Sequence, residues 1–318
     1  MTKVILGIII SFVLCVGISP ILIPYLRKLK FGQQILEIGP NWHKNKAGTP
    51  TMGGIAFIIS TVAASLVSGM DLRGYIVLIF AFLCGVIGFV DDFIKVCLKR
   101  NMGFNARQKT MCLLVVIFLF MFITDYFKFT TTEVFIPFLR MEVDFKLFYY
   151  PLVAIGIFYM VNSVNLTDGV DGLAGSVTLV VSVALAIFSF VFQYTGLSVL
   201  CASLCGGLAA FLIFNLNPAK MFMGDTGSLF LGGLITGVAV AMGNPLIILV
   251  IGIIYVIESL SVVIQVTSFK LTGKRVFKMT PIHHHFEMSG FNENKIVILF
   301  TLVTIIMCVI GFFGVVNL

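Results

Sequence analysis

An all-α, polytopic integral membrane fold of about ten transmembrane helices follows from three observations on this chain of 318 residues. Its residues are 59% hydrophobic and only 11% charged, with a mean hydropathy of +1.10. A soluble domain carries about a quarter charged residues, so this chain has too few to cover a water-facing surface. Apolar runs of about 18–25 residues recur from end to end, the length a helix needs to cross a bilayer core. Between them lie only short polar stretches, with no internal repeat, low-complexity tract or soluble domain, so residues 1–318 read as a single membrane-embedded domain.

The runs fall at 4–26, 52–69, 74–96, 110–127, 147–163, 173–193, 197–214, 227–242, 245–268 and 296–316. The first follows Lys3 as a signal peptide's apolar region would, but it is too long for one and no small-residue cleavage site follows. Between the fourth and fifth runs, Val143, Phe145 and Leu147 alternate with Glu142, Asp144 and Lys146, a period of two that predicts a short hairpin over 130–148. Glu258 sits inside the ninth run, where packing or a helix kink is its expected role. The seven cysteines lie in or beside apolar runs without C-x-x-C spacing and read as small hydrophobes.

Basic residues set the expected orientation. Of the 21 Lys and Arg, all but Lys3, Arg73, Lys128, Arg140 and Lys146 fall at the ends of odd-numbered runs or in the loops after them. Cytoplasmic loops are the Lys/Arg-rich ones, so both termini are expected outside. The net charge of +7 is then an orientation signal and an attraction for anionic ligands. It does not point to nucleic acid, because no soluble basic face carries it.

The same loops hold nearly every unusual polar stretch. They read "NWHKNKAGTPTMGG", "DDFIKVCLKRNMGFNARQK", "VNSVNLTDGVDGLAG", "NLNPAKMFMGDTGS" and "KLTGKRVFKMTPIHHHFEMSGFNENK", and contain all four His residues. One active site at the cytoplasmic membrane face is the expectation. Asp91 and Asp92 close the third run, where negative charge opposes the helix dipole and Lys95 one turn on offsets it only in part. Such a placement favours function. Neighbours on a helix point about 100° apart, so the two carboxylates are expected to divide their work. Asp168 and Asp171 lie among Gly169 and Gly172, which favours a tight turn exposing backbone N–H groups. Asp225, between Gly224 and Gly227, or its neighbour Thr226 reads by itself as a helix N-cap, and Asp225 gains weight from the other acidic loops.

Hard oxygen donors without cysteine point to Mg²⁺, which takes one or two carboxylates and completes its shell with water and phosphate oxygens. Lys44, Lys46, Lys95, Arg107 and Lys109 are placed to hold phosphate. Carboxylates, Mg²⁺, lysines and Gly turns at a lipid–water boundary read as phosphoryl transfer with one substrate resident in the membrane. His283, His284 and His285 are contiguous, which argues against a shared zinc and leaves phosphate or nucleoside contact, or loop shaping. A multi-span transporter is the rival class. It would place its ionisable residues near mid-membrane, often in inverted repeats.

Taken in order among ten runs, "GTPTMGG", "DDFIK", "NLTDGVDGLA", "FMGDTGS" and "PIHHHFE" resemble the phospho-N-acetylmuramoyl-pentapeptide transferase (MraY) family. That family sits within the polyprenyl-phosphate N-acetylhexosamine-1-phosphate transferases, and the resemblance covers nearly the whole chain. It implies Mg²⁺-dependent transfer of phospho-MurNAc-pentapeptide from UDP-MurNAc-pentapeptide to undecaprenyl phosphate. The products would be lipid I and UMP, made for peptidoglycan by a homodimer in the bacterial cytoplasmic membrane. A sister enzyme would use UDP-N-acetylglucosamine. By motif, the resemblance implies that Asp225 is the Mg²⁺ ligand and Asp91 and Asp92 the acidic pair, one of which deprotonates the lipid phosphate. Asp168 resembles the third catalytic aspartate, with Asn162 and Asn165 as polar companions, and Phe222 the ring stacked on uracil. Lys44, Thr49, Gly169, Asp171 and Asn215 resemble nucleoside-side contacts, and Lys95 and Lys109 phosphate partners. His284, flanked by His283 and His285, resembles a diphosphate or sugar contact with a catalytic role. Lys46 and Arg107 stand as neighbouring alternatives to Lys44 and Lys109.

Overall fold

The computed structural model describes residues 1–28, 46, 48–97, 103–139 and 141–315. Their helices are α1 Thr2–Lys28, α2 Gly54–Ser68, α3 Leu72–Cys97, α4 Ala106–Tyr126, α5 Tyr149–Thr167 and α6 Leu173–Val191. They continue with α7 Thr195–Asn215, α8 Gly224–Ala241, α9 Ile247–Ile251, α10 Ile253–Thr272, α11 Ile282–Glu287 and α12 Glu293–Val315. The strands β1 Glu133–Ile136 and β2 Met141–Asp144 pair antiparallel with Val134 opposite Val143, the hairpin that the alternation predicts.

Nine helices among the described residues are long and apolar enough to cross a membrane. The all-α polytopic class stands, with one adjustment to the ten expected spans. The second apolar run yields only the 15-residue α2, about 22 Å of helix against a core of about 30 Å. The cause is local. Met52 has φ +68°, and Gly53 N–H donates to the Phe222 carbonyl, so helix starts only at Gly54. The ninth run is also two pieces: α9 and α10 meet at Gly252, which lies outside both.

Helix α8 is the centre of the bundle, with 89% of its span buried inside the protein, against 22% for α1. Its main neighbour is α3. They pack closely because Gly88 faces the start of α8, where an added Cβ would overlap the Asp225 carbonyl oxygen. Helices α1, α4 and α10 instead turn Ile9, Val13, Val115, Phe122, Val263 and Leu271 outward, as lipid-facing helices do.

Ion pairs and hydrogen bonds tie the segments around residues 46, 91–109, 165–171, 215–228 and 293 to one another. They therefore share one end of the bundle. The hairpin follows the 21-residue α4 and so lies about 30 Å away, at the other end. There Phe138 N–H donates to the Gly314 carbonyl and Arg73 packs over Tyr194 and Phe129.

Gly88→Val should lower the thermal midpoint in detergent by the equivalent of about 1–3 kcal/mol, because backbone cannot yield to an overpacked side chain as a flexible neighbour would. Gly17→Ala is the control. Nothing lies within 4 Å of its Cβ position, and helix propensity favours Ala by about 1 kcal/mol, so its midpoint should hold or rise.

Candidate active site

Asp92 answers the puzzle of two carboxylates at a helix end. It is 4% exposed, and its oxygens accept from the α8 N-terminus. Thr226 donates from N–H at 2.9 Å and from Oγ1 at 2.7 Å, and Asp225 from N–H at 3.2 Å. Asp92, before the last turn of α3, is thus matched to the favourable end of α8, whose free N–H groups and dipole attract an anion. Gly224 makes the approach possible, since its φ of +74° suits glycine and a Cβ there would press on Asp92 Oδ2.

Asp91 points elsewhere. Its Oδ1 accepts from Phe104 N–H at 2.6 Å, and its Oδ2 lies 2.6 Å from Lys95 Nζ and 3.9 Å from Lys109 Nζ. Both ammonium groups also donate to Asp225 Oδ2 at 2.9 Å. The other Asp225 oxygen accepts from Asn165 Nδ2 at 2.8 Å, and that amide also reaches Ser228 Oγ at 2.7 Å. Four helix ends therefore converge on one carboxylate: the C-termini of α3 and α5 and the N-termini of α4 and α8. Local sequence aims them. Asn105 and Gln108 form a reciprocal capping box that starts α4, and Lys109 follows directly. The Lys95 side chain stays 41% exposed.

A second knot adjoins the first. Asp171 accepts from Lys46 Nζ at 2.7 Å, Asn217 Nδ2 at 3.1 Å and Ala219 N–H at 3.1 Å. Lys46 also donates to Glu293 Oε2 at 2.7 Å. Asp168 caps α5 between the two knots, and among the described residues no side chain donates to its carboxylate. Removal from water, then the negative charges of Asp225, Asp92 and Asp171, push it well above the ordinary carboxylate range, against the pull of Lys46.

The structure thus brings together Asp91, Asp92, Lys95, Lys109, Asn165, Asp168, Asp171 and Asp225. Gly169 joins them by permitting the His283 ring to abut it, since a Cβ would overlap Nε2. Phe222 is half-buried, with its N–H on the Pro50 carbonyl, and Thr49 sits in the turn begun by Lys46. Other residues have their polar groups committed within the protein. Asn215 is buried, accepts from Gly172 N–H and donates to the Met221 carbonyl. Asn162 donates back to Phe158 of its own helix. The three histidines diverge: His283 Nδ1 meets Glu258, His284 Nδ1 meets Glu287, and His285 Nδ1 accepts from Lys278 N–H. Lys44 lies outside the described residues, and Lys46 is the lysine seen on Asp171.

Sequence reasoning missed Glu293, Ser228 and Asn217, weighed Thr226 only as a helix N-cap, and gave Glu258 no partner. Glu293 opens the last helix, where an acidic residue reads as ordinary dipole complement. Only its contact with Lys46 marks it out.

The donor set fits a hard divalent cation. Asp225 and Asp91 present carboxylate oxygens to one cationic position shared by the lysines. Among the described residues, no three His, Cys, Asp or Glu form a closed cage. Two carboxylates are the number from which Mg²⁺ would complete its shell with water and phosphate oxygens.

Replacing Asp92 by Ala should strip α8 of its cap and lower the thermal midpoint by the equivalent of about 0.5–2 kcal/mol, and Asp92→Asn by less, since an acceptor remains. Calorimetry in detergent reads both. Because folding raises the Asp168 pKa, the folded state holds that proton more tightly. Stability from this residue is therefore present in acid and lost as pH climbs from the ordinary carboxylate range through the raised value. Asp168→Asn should flatten that decline and be the more stable protein at neutral pH, in midpoints measured across a pH series.

Comparison with known proteins places this arrangement. The glycosyl transferase family 4 model matches residues 75–243, which include Asp91, Asp168 and Asp225. The phospho-N-acetylmuramoyl-pentapeptide-transferase signature 1 matches residues 46–58. The phospho-N-acetylmuramoyl-pentapeptide-transferase of Clostridium perfringens (strain 13 / Type A) is 48% identical over 313 residues, 98% of each chain. That of Clostridium kluyveri (strain ATCC 8527) is 47% identical over 314 residues, 98% of this chain and 99% of the relative. That of Thermoanaerobacter sp. (strain X514) is 48% identical over 315 residues, 98% of each. Similarity of this extent, spanning the ends of the bundle as well as its acidic loops, means that the chain belongs to the phospho-N-acetylmuramoyl-pentapeptide-transferase family.

Proposed function

We propose that this protein transfers phospho-MurNAc-pentapeptide from UDP-MurNAc-pentapeptide to undecaprenyl phosphate, releasing UMP and forming lipid I for peptidoglycan at the cytoplasmic face of the bacterial membrane. The observation that carries this reading is the Asp225 carboxylate held among Asp91, Asn165, Lys95 and Lys109 at one end of a membrane-crossing bundle. Such a site meets both a membrane-bound acceptor and a water-soluble donor.

Each residue's part follows from its contacts. Lys95 and Lys109, now bonded to carboxylates, are the groups that turn to diphosphate oxygens when the nucleotide arrives. Asp91 lies against those lysines, so it faces the phosphates and is the carboxylate placed to take a proton from the lipid phosphate. Asp92, with both oxygens on α8, positions Asp225. Asp225, with Asp91 beside it, would hold Mg²⁺, which when bound supplies charge neutralisation for the diphosphate and the departing UMP. Direct attack by the lipid phosphate is favoured over a phospho-aspartate route, because the acceptor is already an anionic oxygen nucleophile. The second knot, Lys46 with Asp171 and Glu293, offers both signs of charge to the nucleoside end.

UMP release decides it. With detergent-purified protein, Mg²⁺ and undecaprenyl phosphate, UMP should appear with UDP-MurNAc-pentapeptide; release with UDP-N-acetylglucosamine alone would refute the proposal. Asp225→Ala and Asp91→Ala should each lower turnover by about 100–1,000-fold or more. Trapping a phosphorylated aspartate without lipid acceptor would replace direct attack by the two-step route.

A further inference from the structure

Glu258 lies in α10, an apolar helix long enough to span a membrane, and is 0% exposed. A carboxylate in such a place is costly and calls for a partner. The partner is His283, also 0% exposed, at the start of α11. Glu258 Oε2 is 3.0 Å from His283 Nδ1 and faces the His283 backbone N–H at 3.5 Å.

Two nitrogens of one residue thus converge on one oxygen. An ionised carboxylate has no proton to give, so Oε2 accepts from both nitrogens and the ring proton sits on Nδ1. Nε2 is then left at the far edge of the ring. It abuts Gly169, in the turn that carries Asp168, and has no partner among the described residues. The His284 ring packs edge-to-face on the His283 ring at 4.2 Å, so fixing His283 also fixes the next ring of the motif.

We propose that Glu258 is a positioning residue for the transfer reaction: it holds the His283 ring by Nδ1, aims Nε2 at the Asp168–Gly169 turn, and so seats the histidine segment against the site. This rests on the proposed transferase activity, with Glu258 acting through His283 and touching no substrate itself. A carboxylate that orients a histidine from behind sets its tautomer and ring angle, and losing one costs about 10–100-fold in activity in comparable pairs.

The chain has only four His, so ¹⁵N-histidine spectra of the protein in detergent are sparse enough to read. His283→Gln assigns the signal. The wild-type His283 ring should carry its proton on Nδ1, and Glu258→Leu should move it to Nε2. In the UMP assay, Glu258→Leu should lower kcat by about 10–100-fold and leave KM for the nucleotide within about two-fold. Glu258→Gln, which keeps an acceptor oxygen, should retain the Nδ1 proton and most of the turnover. A packing role predicts the reverse order, because replacing a buried ion with an apolar side chain is often neutral or stabilising. A neutral wild-type His283 protonated on Nε2, or a Glu258→Leu enzyme with wild-type kcat, overturns the proposal. Absence of UMP release in the wild type would refute the transferase reading and leave the spectra to decide the Glu258–His283 assignment.

Discussion

The Asp92 carboxylate seated on the N-terminus of α8 is the contact on which the rest of the site depends. It joins α3 and α8, the two helices in most extensive contact, at the start of α8 and near the C-terminal end of α3. Each would otherwise present a poorly matched terminus in a largely apolar bundle. Free N–H groups at the start of α8 would be uncapped, and a carboxylate at the end of α3 would face a dipole of its own sign. Setting one on the other settles both, and it holds Asp225, whose own N–H donates to Asp92, against Lys95 and Lys109.

From that anchor the charges alternate outward. Asp225 and Asp91 share Lys95, Asp225 also binds Lys109, and Lys46 bridges Asp171 and Glu293. Opposite charges this close hold several helix ends together without a ligand. In the proposed reaction the same arrangement would suit substrate binding, a diphosphate taking the lysines from the carboxylates and a cation taking the lysines' place. Asp168, whose carboxylate receives no side-chain donor among the described residues, carries the strain of that concentration of acid and is held toward its neutral form.

Much of this was legible in the chain. Membrane-spanning helices are read from length and apolarity alone, because a bilayer demands both, and the two strands were read from alternation. The acidic motifs were legible because charge is expensive beside lipid and rarely placed there without use. What escaped were features decided by distant backbone. The 52–69 run is apolar throughout, yet α2 is short because Met52 and Gly53 are committed to a turn and to Phe222. The motif residue Asn215 turned out to be a strut whose amide is spent on Gly172 and Met221, and Glu293 was silent until Lys46 was seen beside it.

Composition and the order of the motifs therefore determined the fold class, the segments that carry the site and the family they resemble. These are properties of single helices and single loops, which a linear reading can weigh. Only the tertiary structure decided the division of labour. Asp91 and Asp92 are adjacent in sequence, but one faces lysines and the other a helix terminus. The three contiguous histidines take three unrelated partners, one of them inside a membrane helix. The physical reason is that a carboxylate or an imidazole has no fixed role of its own. Its role comes from whichever donor or acceptor the fold sets within about 3 Å of it, and some of those partners, such as Glu258 for His283 and Thr226 for Asp92, are distant along the chain.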